Sequence, residues 1–260
     1  MGVLYATLII GGSGLLLAVI LALASKFMAV PTDEKVEKVR ECLPGANCGA
    51  CGYSGCDGYA AAVAEGSAAP NLCTPGGEET ARQLSGLLGA EIVVEKKYAF
   101  VKCNHGADKA LKEYNYNGAI SCAAANLLYK GPLACKYGCI GFGDCVAVCD
   151  YGALKIENGM LKVDKSKCTG CGKCAARCPK GLIEILPETV SFVVACANTQ
   201  KGAAARKVCT ASCIGCGKCA KLCSVGAITV NENLAYIDSQ KCIGCGICAE
   251  QCPTKCIVEF

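Results

Sequence analysis

The chain opens on a stretch without charge. Residues Val3 to Ala24, VLYATLIIGGSGLLLAVILALA, run for 22 positions with no Asp, Glu, Lys or Arg. About 20 apolar residues suffice to cross a bilayer as a helix. Lys26 follows at once, then Lys35, Lys38 and Arg40, and no basic residue precedes the run. Positive charge gathers on the cytoplasmic side of a membrane helix. The pattern therefore predicts a single-pass transmembrane anchor over 1–27, with the remainder of the chain in the cytoplasm. A cleaved export signal is the competing reading, because ALAS at 22–25 resembles a small-residue cleavage site. Against it stand the missing basic n-region and an apolar run longer than a normal h-region. Gly11, Gly12 and Gly14 give this helix a smooth face that another membrane helix can approach.

Beyond Pro31 the pattern becomes helical. Thr32 is placed as an N-cap, with Asp33 and Glu34 in the first turn. Val36, Val39 and Leu43 share a face, and Pro44-Gly45 ends the helix. A short Ala-rich helix and a second helix over about 78–88 follow, the latter carrying Leu84, Leu87 and Leu88 and stopping at Gly89. From Glu91 the period shortens. EIVVEKKYAFVKC and, later, VSFVVAC read as strands that close on Cys103 and Cys196. ALKIENGMLKVD and AITVNENLAYID read as hairpins that turn at Asn158-Gly159 and near Glu232-Asn233. Each long strand is followed by another cysteine, Cys122 or Cys209, and then by a cysteine-rich module. The expected architecture is α+β: an anchor at 1–27, a small helical domain at 28–90, and a duplicated unit at 91–190 and 191–260.

Composition changes the picture most through cysteine, at 26 of 260 residues, while Trp is absent and only five Phe are present. Large aromatics do not fill these small modules, so something else must. CTGCGKCAARCP at 168–179 and CIGCGICAEQCP at 242–253 repeat C-x2-C-x2-C-x3-C-P, CIGCGKCAKLCS at 213–224 keeps all but the proline, and CKYGCIGFGDCVAVCD at 135–150 is a looser copy. Disulfides need distant partners and an oxidising compartment. Zinc takes cysteines in pairs that close one tetrahedral site. Three thiols at this spacing with a fourth before proline are the bacterial ferredoxin run, whose fourth cysteine serves the other [4Fe–4S] cluster.

Crossed sharing then assigns the ligands. Cys168, Cys171 and Cys174 pair with Cys149, and Cys135, Cys139 and Cys145 with Cys178. Cys213, Cys216 and Cys219 pair with Cys252, and Cys242, Cys245 and Cys248 with Cys223. Upstream, Cys48, Cys51, Cys56 and Cys73 form C-x2-C-x4-C-x16-C, with Gly49, Gly52 and Gly55 letting the backbone turn tightly around a further cluster. Five clusters are expected on these twenty cysteines. Cys42, Cys103, Cys122, Cys196, Cys209 and Cys256 remain, either as buried thiols without metal or, for Cys103, Cys122, Cys196 and Cys209, as a sixth site joining the repeats. Cys256 is expected to be a spare thiol whose loss is silent.

Formal charge is +4 and the charges are interspersed, so nothing supports nucleic-acid binding. His105, the single histidine, has no evident carboxylate partner and reads as a surface residue. GCIGFG at 138–143 lacks the strand–turn–helix context of a dinucleotide site. No Walker A sequence or nucleophile elbow is present. The chain carries electrons without a site for nicotinamide or flavin.

The order of parts, an anchor, then LPGANCGACGYSGCDGYA, CTPGGEETARQLSGLLG and tandem modules ending CGICAEQCPTKCI, resembles the B subunit of the Rnf complex, the ion-translocating ferredoxin:NAD oxidoreductase. The resemblance covers essentially the whole chain and is most specific in the N-terminal cysteine domain. It implies that Cys48, Cys51, Cys56, Cys73 and the ferredoxin cysteines bind [4Fe–4S] clusters. It further implies a bacterial inner (cytoplasmic) membrane location, soluble ferredoxin as electron donor, and other subunits of a membrane redox complex as partners. Electron flow toward NAD would be coupled to Na+ or H+ export. A membrane-tethered polyferredoxin that serves another reductase without pumping shares every motif. A zinc-rich structural adaptor is the third reading.

Overall fold

The computed structural model describes residues 2–27, 33–89, 95–104 and 109–260. Thr32, Glu91 to Val94 and His105 lie outside the described residues, and with them the capping role of Thr32 and the start of the first strand. The apolar run forms one helix, α1 (Gly2–Phe27). Leu15 and Leu21 on it are 71% and 67% exposed. Among the described residues no helix is long and apolar enough to cross a membrane.

Three helices make the next unit: α2 (Glu34–Glu41), α3 (Cys56–Ala64) and α4 (Gly77–Leu88). Asp33, expected in the first turn, is instead the N-cap of α2, its carboxylate accepting from the Lys35 N–H at 2.9 Å. The anticipated face is the buried one: Val39 and Leu43 pack on Tyr59, Ala60, Val63 and Leu84. Gly89 ends α4 in the left-handed conformation, φ 67°.

The rest alternates short strands and single-turn helices in two similar rounds. The first contains β1 (Lys97–Val101), α5 (Cys122–Leu127), α6 (Asp144–Ala147), β2 (Leu154–Glu157), β3 (Met160–Val163), α7 (Lys173–Arg177) and β4 (Ile183–Pro187). The second contains β5 (Phe192–Val194), α8 (Gly202–Val208), α9 (Lys218–Leu222), β6 (Ile228–Asn231), β7 (Leu234–Ile237), α10 (Ile247–Glu250) and β8 (Ile257–Glu259). In each round the entering strand pairs antiparallel with the strand that leaves the module. Lys97 faces Pro187 and Val101 faces Ile183 in the first, and Phe192 faces Glu259 and Val194 faces Ile257 in the second. Both hairpins turn at the positions their residue types predict. Asn158 and Gly159 have φ 50° and 73°, Glu232 and Asn233 φ 48° and 63°. Two successive positive φ values make the turn whose twist matches paired strands.

Between the rounds, residues 109–113 act as a connector. The Leu111 N–H donates to Val208 O and the Thr210 N–H to Lys109 O, while the Ala134 N–H donates to Leu111 O and the Glu113 N–H to Pro132 O. The connector is thus bonded to the second round on one side and the first round on the other.

Candidate metal centres

The thiols gather in fours. Cys149, Cys168, Cys171 and Cys174 line one hollow between α7 and β4. Cys213, Cys216, Cys219 and Cys252 line another in the second round. Cys248 lies within electrostatic reach of Cys242 and Cys245 and shares an apolar cluster with Cys223. In the N-terminal unit Cys73 faces Cys48, Cys51 and Cys56. The first two groupings and the N-terminal one bring together cysteines that the sequence groups, while Cys223 shares its apolar cluster with Cys213 and Cys252 as well as Cys248.

Two sets differ from the expected ones. Cys139, Cys145 and Cys178 are joined by Cys122, not by Cys135. Cys135 instead lines a hollow with Cys103, Cys196 and Cys209. The two cysteines have exchanged places relative to the spacing-based assignment. Tyr129, Lys130 and Gly131, at φ 48°, 58° and 93°, reverse the chain between them. The connector then holds Cys135 to Cys209, because Ala110 bridges to Cys209 and Lys112 to Leu133. On the other side, Asp144 accepts from the Cys122 and Ala123 N–H groups at 2.8 and 3.0 Å and from the Ser121 hydroxyl at 2.9 Å, fixing the first turn of α5. Burial alone would raise the Asp144 pKa. The two N–H groups, Ser121 and nearby Arg177 outweigh it and hold the carboxyl below its ordinary value.

Four of the hollows are each lined by at least four thiols. Lined alike, they suit one kind of guest. Burial pushes the Cys139 thiol to about 11 and Cys145 to about 12. It pushes Cys174 and Cys209 to about 11. Several thiolates side by side in a dry hollow are costly without a cation, and metal ligation requires the thiolate. Among the described residues no group of three or more His, Cys, Asp or Glu is arranged to hold a single metal ion. A tetrahedral zinc draws its sulfurs to about 2.3 Å from one point, whereas a cluster lets four thiols stand around its corners. The donor set fits [4Fe–4S] clusters.

Donors to sulfur surround the sets. The Ala99 N–H reaches Cys168 Sγ and the Leu182 N–H reaches Cys178 Sγ, both at 3.4 Å. Cys196 Sγ accepts from the Asn198 and Cys213 N–H groups at 3.4 and 3.3 Å. Asn198, 1% exposed, also points its amide at Cys135 Sγ, 3.9 Å away. The Lys180 ammonium donates to Gly138 O at 2.7 Å among Cys135, Cys139 and Cys103. Burial lowers its pKa, and those three sulfurs oppose the shift. Asp144, Asn198 and Lys180 carry no motif, and sequence reasoning missed them.

The sets are also adjacent to one another. Tyr151 lies within electrostatic reach of Cys48 and Cys171, which belong to the N-terminal set and the Cys149 set. Cys145, Cys149, Cys174 and Cys178 share one apolar cluster. The Cys139 N–H donates to Cys103 Sγ and the Cys213 N–H to Cys196 Sγ. Cys213, Cys223, Cys248 and Cys252 share another apolar cluster. Cys103, Cys135, Cys196 and Cys209 therefore lie between cysteines of the first round and cysteines of the second.

Comparison with known proteins finds iron–sulfur domains along the chain. A family model for an Fe-S cluster matches residues 43–75, and models of a 4Fe-4S dicluster domain match residues 137–182, 212–256 and 160–224. The chain is 43% identical to the B subunit of the Na(+)-translocating ferredoxin:NAD(+) oxidoreductase complex of Acetobacterium woodii, over 96% of this chain and 75% of the relative. It is 46% identical to the B subunit of the proton-translocating ferredoxin:NAD(+) oxidoreductase complex of Clostridium ljungdahlii, over 86% and 80%. It is 41% identical to the B subunit of the ion-translocating oxidoreductase complex of Methanosarcina acetivorans, over 96% and 95%. With such identity across nearly its whole length, the chain belongs to the family of ion-translocating oxidoreductase complex B subunits, the Rnf B subunits.

Proposed function

We propose that this chain is the electron-relay subunit of a membrane complex that takes low-potential electrons from reduced ferredoxin and passes them toward NAD, coupled to Na+ or H+ translocation. The observation that carries the reading is the adjacency of the cysteine sets, linked between the two rounds by the Cys139 N–H on Cys103 and the Cys213 N–H on Cys196. Six [4Fe–4S] clusters supply one-electron transfer when bound. Cys48, Cys51, Cys56 and Cys73 hold the first, and Cys149, Cys168, Cys171 and Cys174 the second. Cys122, Cys139, Cys145 and Cys178 hold the third, and Cys103, Cys135, Cys196 and Cys209 the fourth. Cys213, Cys216, Cys219 and Cys252 hold the fifth, and Cys223, Cys242, Cys245 and Cys248 the last.

The surrounding side chains help to order these thiolates. Asp144 fixes the backbone of Cys122, and Tyr59 ties down the loop before Cys73 through bonds to Ala69 O and the Leu72 N–H at 2.8 and 3.1 Å. Asn198 and Lys180 bring positive dipole and charge to the central sets. Attachment to the bacterial cytoplasmic membrane falls to α1, with the cysteine domains on the cytoplasmic side. The 22 uncharged residues of that segment, and the basic residues that follow it, support this placement.

The test is ferredoxin-dependent NAD reduction and ion uptake in vesicles from cells that carry or lack this chain. The reading requires both to fail without it and return with it. NAD reduction that continues unchanged in its absence contradicts it. Loss of electron transfer with ion uptake untouched favours a tethered polyferredoxin serving a different reductase.

A further inference from the structure

Each ferredoxin run ends on a fourth cysteine, Cys149, Cys178, Cys223 or Cys252, and the residue four places on is Ala153, Leu182, Ala227 or Cys256. The backbone does the same thing at three of these positions. The Leu182 N–H donates to Cys178 Sγ at 3.4 Å, the Ala227 N–H to Cys223 Sγ at 3.3 Å, and the Cys256 N–H to Cys252 Sγ. The side chains differ. Leu182, 2% exposed, lines the hollow of Cys122, Cys139, Cys145 and Cys178. Cys256, also 2% exposed, lines the hollow of Cys213, Cys216, Cys219 and Cys252. Its Sγ stands 3.6 Å from Cys252 Sγ and within electrostatic reach of Cys213. The duplicated module therefore contains its own control: same backbone, same hollow, leucine in one copy and a thiol in the other.

We propose that Cys256 is a buried S–H donor to the ligand sulfur Cys252, and that it raises the reduction potential of the cluster held there above that of its counterpart on Cys122, Cys139, Cys145 and Cys178. The inference rests on the ligand sets proposed above. A metal-bound sulfur carries negative charge, and reduction adds to it. A hydrogen bond to that sulfur stabilises the reduced state, so hydrogen bonds to sulfur are among the determinants of cluster potential. A thiol is a weak donor, but out of water its bond is electrostatically stronger. Leucine offers no such bond. Cys256 is a positioning residue and not a fifth ligand, because the matched hollow is lined by its four cysteines with Leu182 in the same place. Thr254 Oγ1, 3.7 Å from Cys252 Sγ, is a second neighbour that variants at Cys256 leave untouched. The consequence is a step in potential between the two modules that favours residence of the electron in the second.

The experiment is an EPR-monitored redox titration of the full chain prepared without oxygen, with iron measured on each sample. Cys216→Ala identifies the signal of the set, because it removes a ligand. Cys256→Ala is expected to keep its iron and move that midpoint to lower potential, and Cys256→Ser, which retains a donor, to move it less. Leu182→Cys is expected to move the first-module midpoint upward. Two results overturn the inference: an unchanged midpoint in Cys256→Ala at full iron, or the loss of about four irons per chain, which would make Cys256 a ligand. If Cys256→Ala does not fold, Leu182→Cys decides alone, and an unmoved first-module midpoint is contrary. If Cys216→Ala removes no signal, the ligand assignment itself fails and takes this inference with it.

Discussion

The backbone N–H of Cys139 donates to Cys103 Sγ across 3.4 Å. Cys139 lines the hollow it shares with Cys122, Cys145 and Cys178, and Cys103 lines the next one. A single peptide group therefore touches two adjacent cysteine sets. Cys213 repeats the arrangement, its N–H on Cys196 Sγ at 3.3 Å, where the central set meets the second module. The Cys103 set is thus bonded to both halves.

Cys135→Ala should break that link. Iron is expected to fall by about four per chain, and NAD reduction driven by ferredoxin should collapse in vesicles while the other cluster signals persist. Cys42→Ala is the control. Its Sγ reaches Lys38 O at 3.3 Å, it belongs to none of the six sets, and its loss should leave iron unchanged. Equal iron in the two variants would remove Cys135 from the ligand list.

Asp144→Ala should release the first turn of α5. It strips partners from two backbone N–H groups, and an unsatisfied buried donor costs about 1–3 kcal/mol. The cluster on Cys122 should become the most labile, lost first in a chelator time course. Because the folded Asp144 pKa lies below its ordinary 3.8, its contribution is present above that value. It disappears as pH falls through the lower, folded value. Chelator sensitivity identical to wild type would deny the carboxylate this role.

Gly76→Ala should damage the N-terminal centre alone. A Cβ there would collide with Thr80 Oγ1 and sit 3.0 Å from Cys73 Sγ, so the chain must shift beside Cys73. Tyr59→Phe is milder. It leaves the Leu72 N–H without the phenol oxygen, at a cost of about 1–3 kcal/mol. Thermal unfolding should show a lower Tm for both, and EPR should show loss of the N-terminal signal in Gly76→Ala.

Deleting residues 1–27 should leave a soluble chain with its full iron content, since α1 supplies no cysteine. Sedimentation of the shortened chain with membranes would show that attachment rests on other surfaces.

Much of this is legible in the sequence because the signals are local. Asn158-Gly159 and Glu232-Asn233 announce their turns by residue type and by the alternation around them, and the cysteine runs carry the grouping of Cys149 with Cys168, Cys171 and Cys174. The exchange of Cys122 and Cys135 is not legible. Cys135 stands four residues before Cys139 and so reads as its partner. The chain reversal at Tyr129 to Gly131 and the connector at 109–113 move it to Cys209 instead. Those are long-range backbone pairings with no spacing of their own. Cys256 escapes the sequence for a similar reason. A cysteine outside a run looks spare until the fold sets it against Cys252.

The most direct measurement is the iron and acid-labile sulfide content of the intact chain, isolated without oxygen. Six cysteine quartets predict about 24 irons and as many sulfides per chain, falling to about 20 in Cys135→Ala. About 20 in the wild-type chain, unchanged by that substitution, would contradict a metal centre between the two modules.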